Sequence, residues 1–181
     1  MNLSPVKLEI LKTMLLFDKP TKAVKIAKAA GQKFPPVMMH LLGLIQMGYV
    51  ESPEKSLYII TANGRKAVGL PELSKETAKA ILADAPKDKA FHFYACIGKP
   101  LDCYAHSLPD FCYKILKISA DSIEFHVNHG DFENWFTSLG DMELARKIAL
   151  LKDKNLAGEE LRSRLYEIVE NRRAALAAAQ A

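Results

Sequence analysis

Four lysines set three to five residues apart, Lys22, Lys25, Lys28 and Lys33, point most directly to a chemistry. Ammonium groups repeated at that interval share the outer side of a short helix, and such a row of point cations suits a polyanion. Gln32, His40 and, on a turn further along, Lys55 can add hydrogen-bonding groups. Directly after the lysines the chemistry inverts. Pro36-Val37-Met38-Met39-His40-Leu41-Leu42-Gly43-Leu44-Ile45-Gln46-Met47 carries no charge. A helix apolar nearly all round is generally covered, so Met38, Met39, Leu42 and Met47 are expected at an interface with the second domain, another subunit or a protein partner, a role to which methionine is suited.

A second constellation lies near the middle of the chain. His126, His129 and Asp131, with His92 or His106, invite a zinc reading. Spacing argues against it. If Ser122–Val127 is a strand, alternation sends the two rings to opposite faces, and no cysteine pair has the short spacing of structural zinc sites. The expectation is no metal, with a satisfied polar pair at a strand-to-helix corner. Cys96 and Cys112 fall on apolar patterns and are expected as small core residues. Lacking a phosphate-cradling glycine loop, a nucleophile elbow or a paired-carboxylate motif, the chain is read as neither an enzyme nor a cofactor protein.

The 181 residues carry a net charge of +4, 49% hydrophobic and 25% charged residues, within the globular norm. The charge is uneven. Residues 1–70 hold ten Lys and Arg against four Asp and Glu, a net +6, whereas residues 71–181 hold fifteen against seventeen, a net −2. A basic module followed by a near-neutral one is the expected organisation. No run of about 18 apolar residues occurs, and Lys7, Glu9 and Lys12 interrupt the start, so a cytoplasmic protein without a membrane span is expected. Three cysteines, an odd number, fit reduced thiols.

These residues must be positioned by elements legible in the pattern. Ser4 and Pro5 open a first helix, Thr21 is read as the cap of a second ending at Gly31, and a third runs from Pro35 or Pro36 to about Met47 and stops at Gly48. Tyr49–Ser52 and Leu57–Ile60 read as two strands around Pro53-Glu54-Lys55-Ser56, and Thr61 begins another helix. LLGLIQMGYVES followed by YIITANGRKAV resembles the signature of winged-helix transcription regulators. That resemblance implies a third helix entering the major groove, with the second helix and the wing on phosphates.

Ser74 is read as capping a linker helix, with a hinge to residue 89. The second domain, 90–181, is expected to be a small, mostly helical α+β unit: a strand at Phe91–Ile97 ended by Gly98-Lys99-Pro100, a helix capped by Ser107, a strand at Ser122–Val127, a short helix capped by Asp131, one over 142–152 capped by Asp141, and a long one from Gly158 that frays after Leu176. FHFYACIG, YAHSLPDF, SIEFHVNHGDFENWF, LGDMELARKI and GEELRSRLYEIV are similar to a small α+β family of archaeal and bacterial proteins without established function. His129 stands where that pattern commonly has Arg.

The expected function is a DNA-binding transcriptional regulator, with a winged helix over 1–70 and an accessory sensing or dimerisation domain. Lys22, Lys25, Lys28, Gln32, Lys33, His40 and Lys55 are its expected contacts to double-stranded DNA, and the C-terminal helix is expected to support a homodimer. The alternative is a protein-docking module built on Met38, Met39, Leu42 and Met47.

Overall fold

The computed structural model describes residues 3–180, which divide between Glu72 and Leu73 into two compact units. The first opens with α1 (Pro5–Met14), whose N-cap hydroxyl on Ser4 accepts the Lys7 N–H at 3.4 Å. There follow β1 (Thr21–Lys22), α2 (Ala23–Ala29), α3 (Phe34–Gln46), β2 (Val50–Glu54), β3 (Leu57–Ile60) and α4 (Ala62–Ala67). Thr21 does not cap α2. It joins a three-stranded antiparallel sheet of order β1-β3-β2, with Thr21 opposite Tyr58 and Lys22 opposite Leu57, and Lys22 takes the cap position. The threonine hydroxyl donates instead to the Lys19 carbonyl at 2.9 Å.

Val37, Leu41 and Leu44 recur at helical spacing on α3 and are buried, as are Ile10, Leu11 and Met14 of α1 and Ile26 and Ala27 of α2. The step from α3 into the sheet depends on two residues far apart in sequence. Gly48 adopts φ +72, and its carbonyl accepts the Thr61 hydroxyl at 2.7 Å, while the Thr61 hydroxyl oxygen accepts the Gly64 N–H at 3.1 Å. Gly64 is pressed so closely on the Tyr49 carbonyl that a Cβ there would stand 2.2 Å from its oxygen. Thr-x-x-Gly is therefore the fastener between the end of α3 and the start of α4.

The second unit contains α5 (Lys75–Leu82), β4 (Phe91–Cys96), β5 (Lys99–Ala105), α6 (Leu108–Ile115), α7 (Ala120–His129), α8 (Asp131–Ser138), α9 (Met142–Lys152) and α10 (Gly158–Gln180). The stretch read as a linker supplies α5, which packs on α10. Gly98 and Lys99 do not end the sheet: the chain reverses at Ile97-Gly98, where Gly98 has φ +75, and β5 returns antiparallel with Cys96 opposite Lys99. Pro100 is tolerated because the hairpin has only these two strands, leaving β5 at an edge. Cys96 is exposed there rather than packed, while Cys112 is buried.

The strand expected at Ser122–Val127 is helix α7. Its alternation is overruled by a stronger pattern: Ser122, Ile123, His126 and Val127 are all buried, at helical spacing, and Ser119 caps the N-terminus through the Ser122 N–H. Asp131 does not cap α8 either, because Gly130, in the left-handed region at φ +75, holds that position. Asp141 does cap α9, accepting the Leu144 N–H at 3.0 Å. Phe91, Phe93, Phe111, Phe132, Trp135 and Phe136 form the core of the unit by edge and stacked contacts.

The apolar stripe of α10, Leu161, Leu165, Ile168, Val169 and Leu176, is buried against helices of the same unit and continues helical to Gln180. The stripe expected to support a homodimer is thus taken up inside its own unit. For the first unit, Gly64→Ala must displace backbone, not a flexible side-chain end, and is expected to lower stability by about 1–3 kcal/mol in urea denaturation followed by circular dichroism.

Candidate nucleic-acid interface

Lys22, Lys25, Lys28, Lys33 and Lys55 are all exposed, and among the described residues none of them forms an ion pair. Lys25 and Lys28 project from α2 opposite its buried Ala23, Ile26 and Ala27, and Lys33 stands at the cap of α3. Gln32 and His40 are half-buried. Lys55 lies in the turn of the hairpin beside Ser56, whose φ is +64, and Glu51 and Glu54 on β2 are exposed near it. The hairpin thus contributes the single cation of Lys55 among acidic neighbours in sequence, and most of the positive charge is concentrated on α2 and the turn into α3.

The outward side of α3 lies opposite Val37, Leu41 and Leu44 and carries Pro35, Met39, Leu42 and Gln46, all exposed. Met39 is 70% and Leu42 44% exposed. Met38 and Met47, expected with them, sit on opposite flanks and are half-buried. On one flank the Tyr58 hydroxyl of β3 meets the Met38 sulfur at 3.5 Å; on the other the Lys7 ammonium of α1 reaches the Met47 sulfur at 3.8 Å. Lys7 crosses α3 above Gly43, where a Cβ would lie 2.9 Å from its nitrogen. Sequence reasoning missed this cation beside α3. The signal was there in Gly43, a lone glycine in an apolar helix that leaves room for another side chain.

In the second unit the tempting cluster has a structural role. His126 is buried, its Nδ1 lies 2.7 Å from an Asp131 carboxylate oxygen, and its Nε2 accepts the backbone N–H of Tyr94 at 2.8 Å. That acceptance requires Nε2 to be bare, so the neutral ring donates from Nδ1 to Asp131. Burial pushes its pKa down against the pull of the Asp131 carboxylate. One turn earlier on α7, the Ser122 hydroxyl donates to the Tyr94 carbonyl at 2.7 Å. Two side chains of a helix thus do for Tyr94 what a neighbouring strand would do, at a point where the β4–β5 ladder shifts register.

His129 turns away from this pair, its Nδ1 2.7 Å from the Phe125 carbonyl. Trp135 closes the assembly by donating to the Lys89 carbonyl at 2.9 Å. Among the described residues no three His, Cys, Asp or Glu side chains converge as metal ligands. The Cys112 thiol, buried beside Glu170, is pushed up to about 12 and is inert as a nucleophile at neutral pH.

A family profile matches residues 70–170, more than half of the chain, and contains Ser122, His126, Gly130, Asp131 and Trp135. The chain belongs to DUF5752, a family of unknown function. No curated protein and no solved structure matches it. The DUF5752 span begins just before α5, so the basic first unit lies almost entirely outside it.

His126 makes stability of the second unit pH-dependent. Because its folded pKa is lowered, its contribution is complete above the unfolded value of about 6.5 and is lost as pH falls through the folded one, the unfolded chain taking up the proton first. His126→Gln is expected to flatten the part of the stability profile that falls away as pH drops below about 6.5. It should also cost about 1–3 kcal/mol at neutral pH if the Tyr94 N–H is left unsatisfied, both read by urea denaturation.

Proposed function

We propose that residues 3–72 form a winged helix-turn-helix that binds double-stranded DNA, as the DNA-contacting head of a transcriptional regulator whose DUF5752 unit has a sensing or dimerisation role. Support comes from the element order α1-β1-α2-α3-β2-β3, the third strand that β1 adds to the hairpin, and the α2-turn-α3 pair at its centre. The observation that carries the reading is electrostatic. Five exposed ammonium groups, on Lys22, Lys25, Lys28, Lys33 and Lys55, have no carboxylate partner among the described residues, so their charge is available to phosphates.

A second reading is favoured by one observation, the exposure of Met39 and Leu42. On that reading the same face docks a protein partner through apolar contact, with no role for DNA. The two respond oppositely to salt.

A fluorescence-anisotropy titration of random-sequence duplex DNA separates them. Neutralising about five phosphates implies a several-hundred-fold loss of affinity between about 50 mM and about 200 mM salt. Replacing Lys25, Lys28 and Lys33 together by Gln is expected to lower the slope of log K against log salt by about three. Absence of binding at the lower salt overturns the DNA reading, and a dependence on Met39 and Leu42 for capture of a protein partner supports the other.

A further inference from the structure

We infer that the outward face of α3 prefers A·T-rich duplex DNA by packing on thymine methyl groups, an inference that rests on the DNA reading above. The row Pro35, Met39, Leu42 and Gln46 follows a single helical side from end to end. Between its ends it offers only side-chain carbon and the Met39 sulfur. Guanine is commonly read by an Arg or Lys bidentate to O6 and N7, and the row contains neither. Met39 and Leu42 would displace water from the hydrogen-bonding groups of any base pair they cover, and a G·C pair offers no methyl group in return.

Thymine differs in presenting a C5-methyl into the major groove, where it suits a thioether or a branched alkyl chain. The one amide on the row, Gln46, is of the type that pairs with adenine N6 and N7. Apolar and polar members of the face therefore favour the same base pair. Charge supplies the reason for nucleic acid rather than another apolar surface. Lys33 stands at the start of the row, Lys7 runs along its flank above Gly43, and Lys25 and Lys28 project from the helix packed on α3. None of these four ammonium groups is paired with a carboxylate among the described residues.

The test changes the methyl and nothing else. The full chain is titrated by fluorescence anisotropy, at low salt, with an A·T duplex, with the same duplex carrying uracil in place of thymine, with a G·C duplex, and with that duplex carrying 5-methylcytosine. Uracil keeps every hydrogen-bonding group of thymine. The expected result is an affinity loss of about four-fold for each contacted methyl removed, with a partial gain when cytosine is methylated. Met39→Ala with Leu42→Ala, both at exposed positions, is expected to bring the thymine duplex down to the uracil one.

Equal affinity for the thymine and uracil duplexes, with salt-sensitive binding intact, overturns this inference and leaves the DNA reading standing. Failure to bind any of the four duplexes overturns both.

Discussion

The feature on which the functional account depends is the excess of positive charge in the first unit, gathered on α2 and the turn into α3. In the second unit almost every guanidinium is answered by a carboxylate: Arg172 holds Asp141 at 2.8 Å and Glu143 at 3.1 Å, Arg173 holds Glu170, and Arg162 holds Glu159 at 2.9 Å. Even Lys147, buried on α9, lies 3.5 Å from Glu143. Burying charge is tolerable only when it is paired in this way. In the first unit Lys12 meets Glu9 and Lys66 meets Glu72, whereas the lysines of α2 and of the turn into α3 stand in solvent with no carboxylate partner among the described residues. Solvent is a sufficient partner for an exposed ammonium group, so this surface is stable as it is. It also retains a charge that a phosphate backbone can use.

The second unit is best understood through the backbone of one residue, Tyr94. Tyr94 sits where the hairpin loses its register, and its N–H and C=O are both taken by α7, through His126 and Ser122. Asp131, at the first position of α8, fixes the tautomer that makes this possible, while Phe132 and Trp135 of the same helix fill the aromatic core. The segment from Ser122 to Trp135 is therefore spent on holding a helix against a hairpin. Serine, histidine and aspartate here do not form a nucleophilic arrangement, because the hydroxyl donates to a carbonyl and the ring nitrogen accepts from an amide.

How much of this was legible in the sequence follows from how local each cause is. Ser4, Ser74 and Asp141 were readable as caps because a capping bond spans three residues, and each accepts the N–H expected of it, whereas Thr21 and Asp131 yield the cap position to Lys22 and Gly130. The candidate cations were readable as an exposed row because helical spacing alone separates Lys25 and Lys28 from Ile26 and Ala27. Ser122–Val127 was misread for the opposite reason. Over six residues, period two and period 3.6 place Ile123 and Val127 alike on one face, and only the distant Tyr94 peptide gives Ser122 and His126 a reason to be buried together. The crossing of Lys7 over Gly43 was invisible in the same way, since it joins residues on two helices. Met39 and Leu42 are exposed because only one side of α3 is buried within its own unit.

The central claim is that the positive surface of α2 and the start of α3 is where nucleic acid sits. The most direct measurement is a two-dimensional amide NMR spectrum of the full chain titrated with a short duplex. The account predicts that the largest shift changes fall on residues 22–34 and on the exposed row of α3, with the DUF5752 unit little affected. Changes confined to residues 73–180, or none at all at low salt, would contradict it.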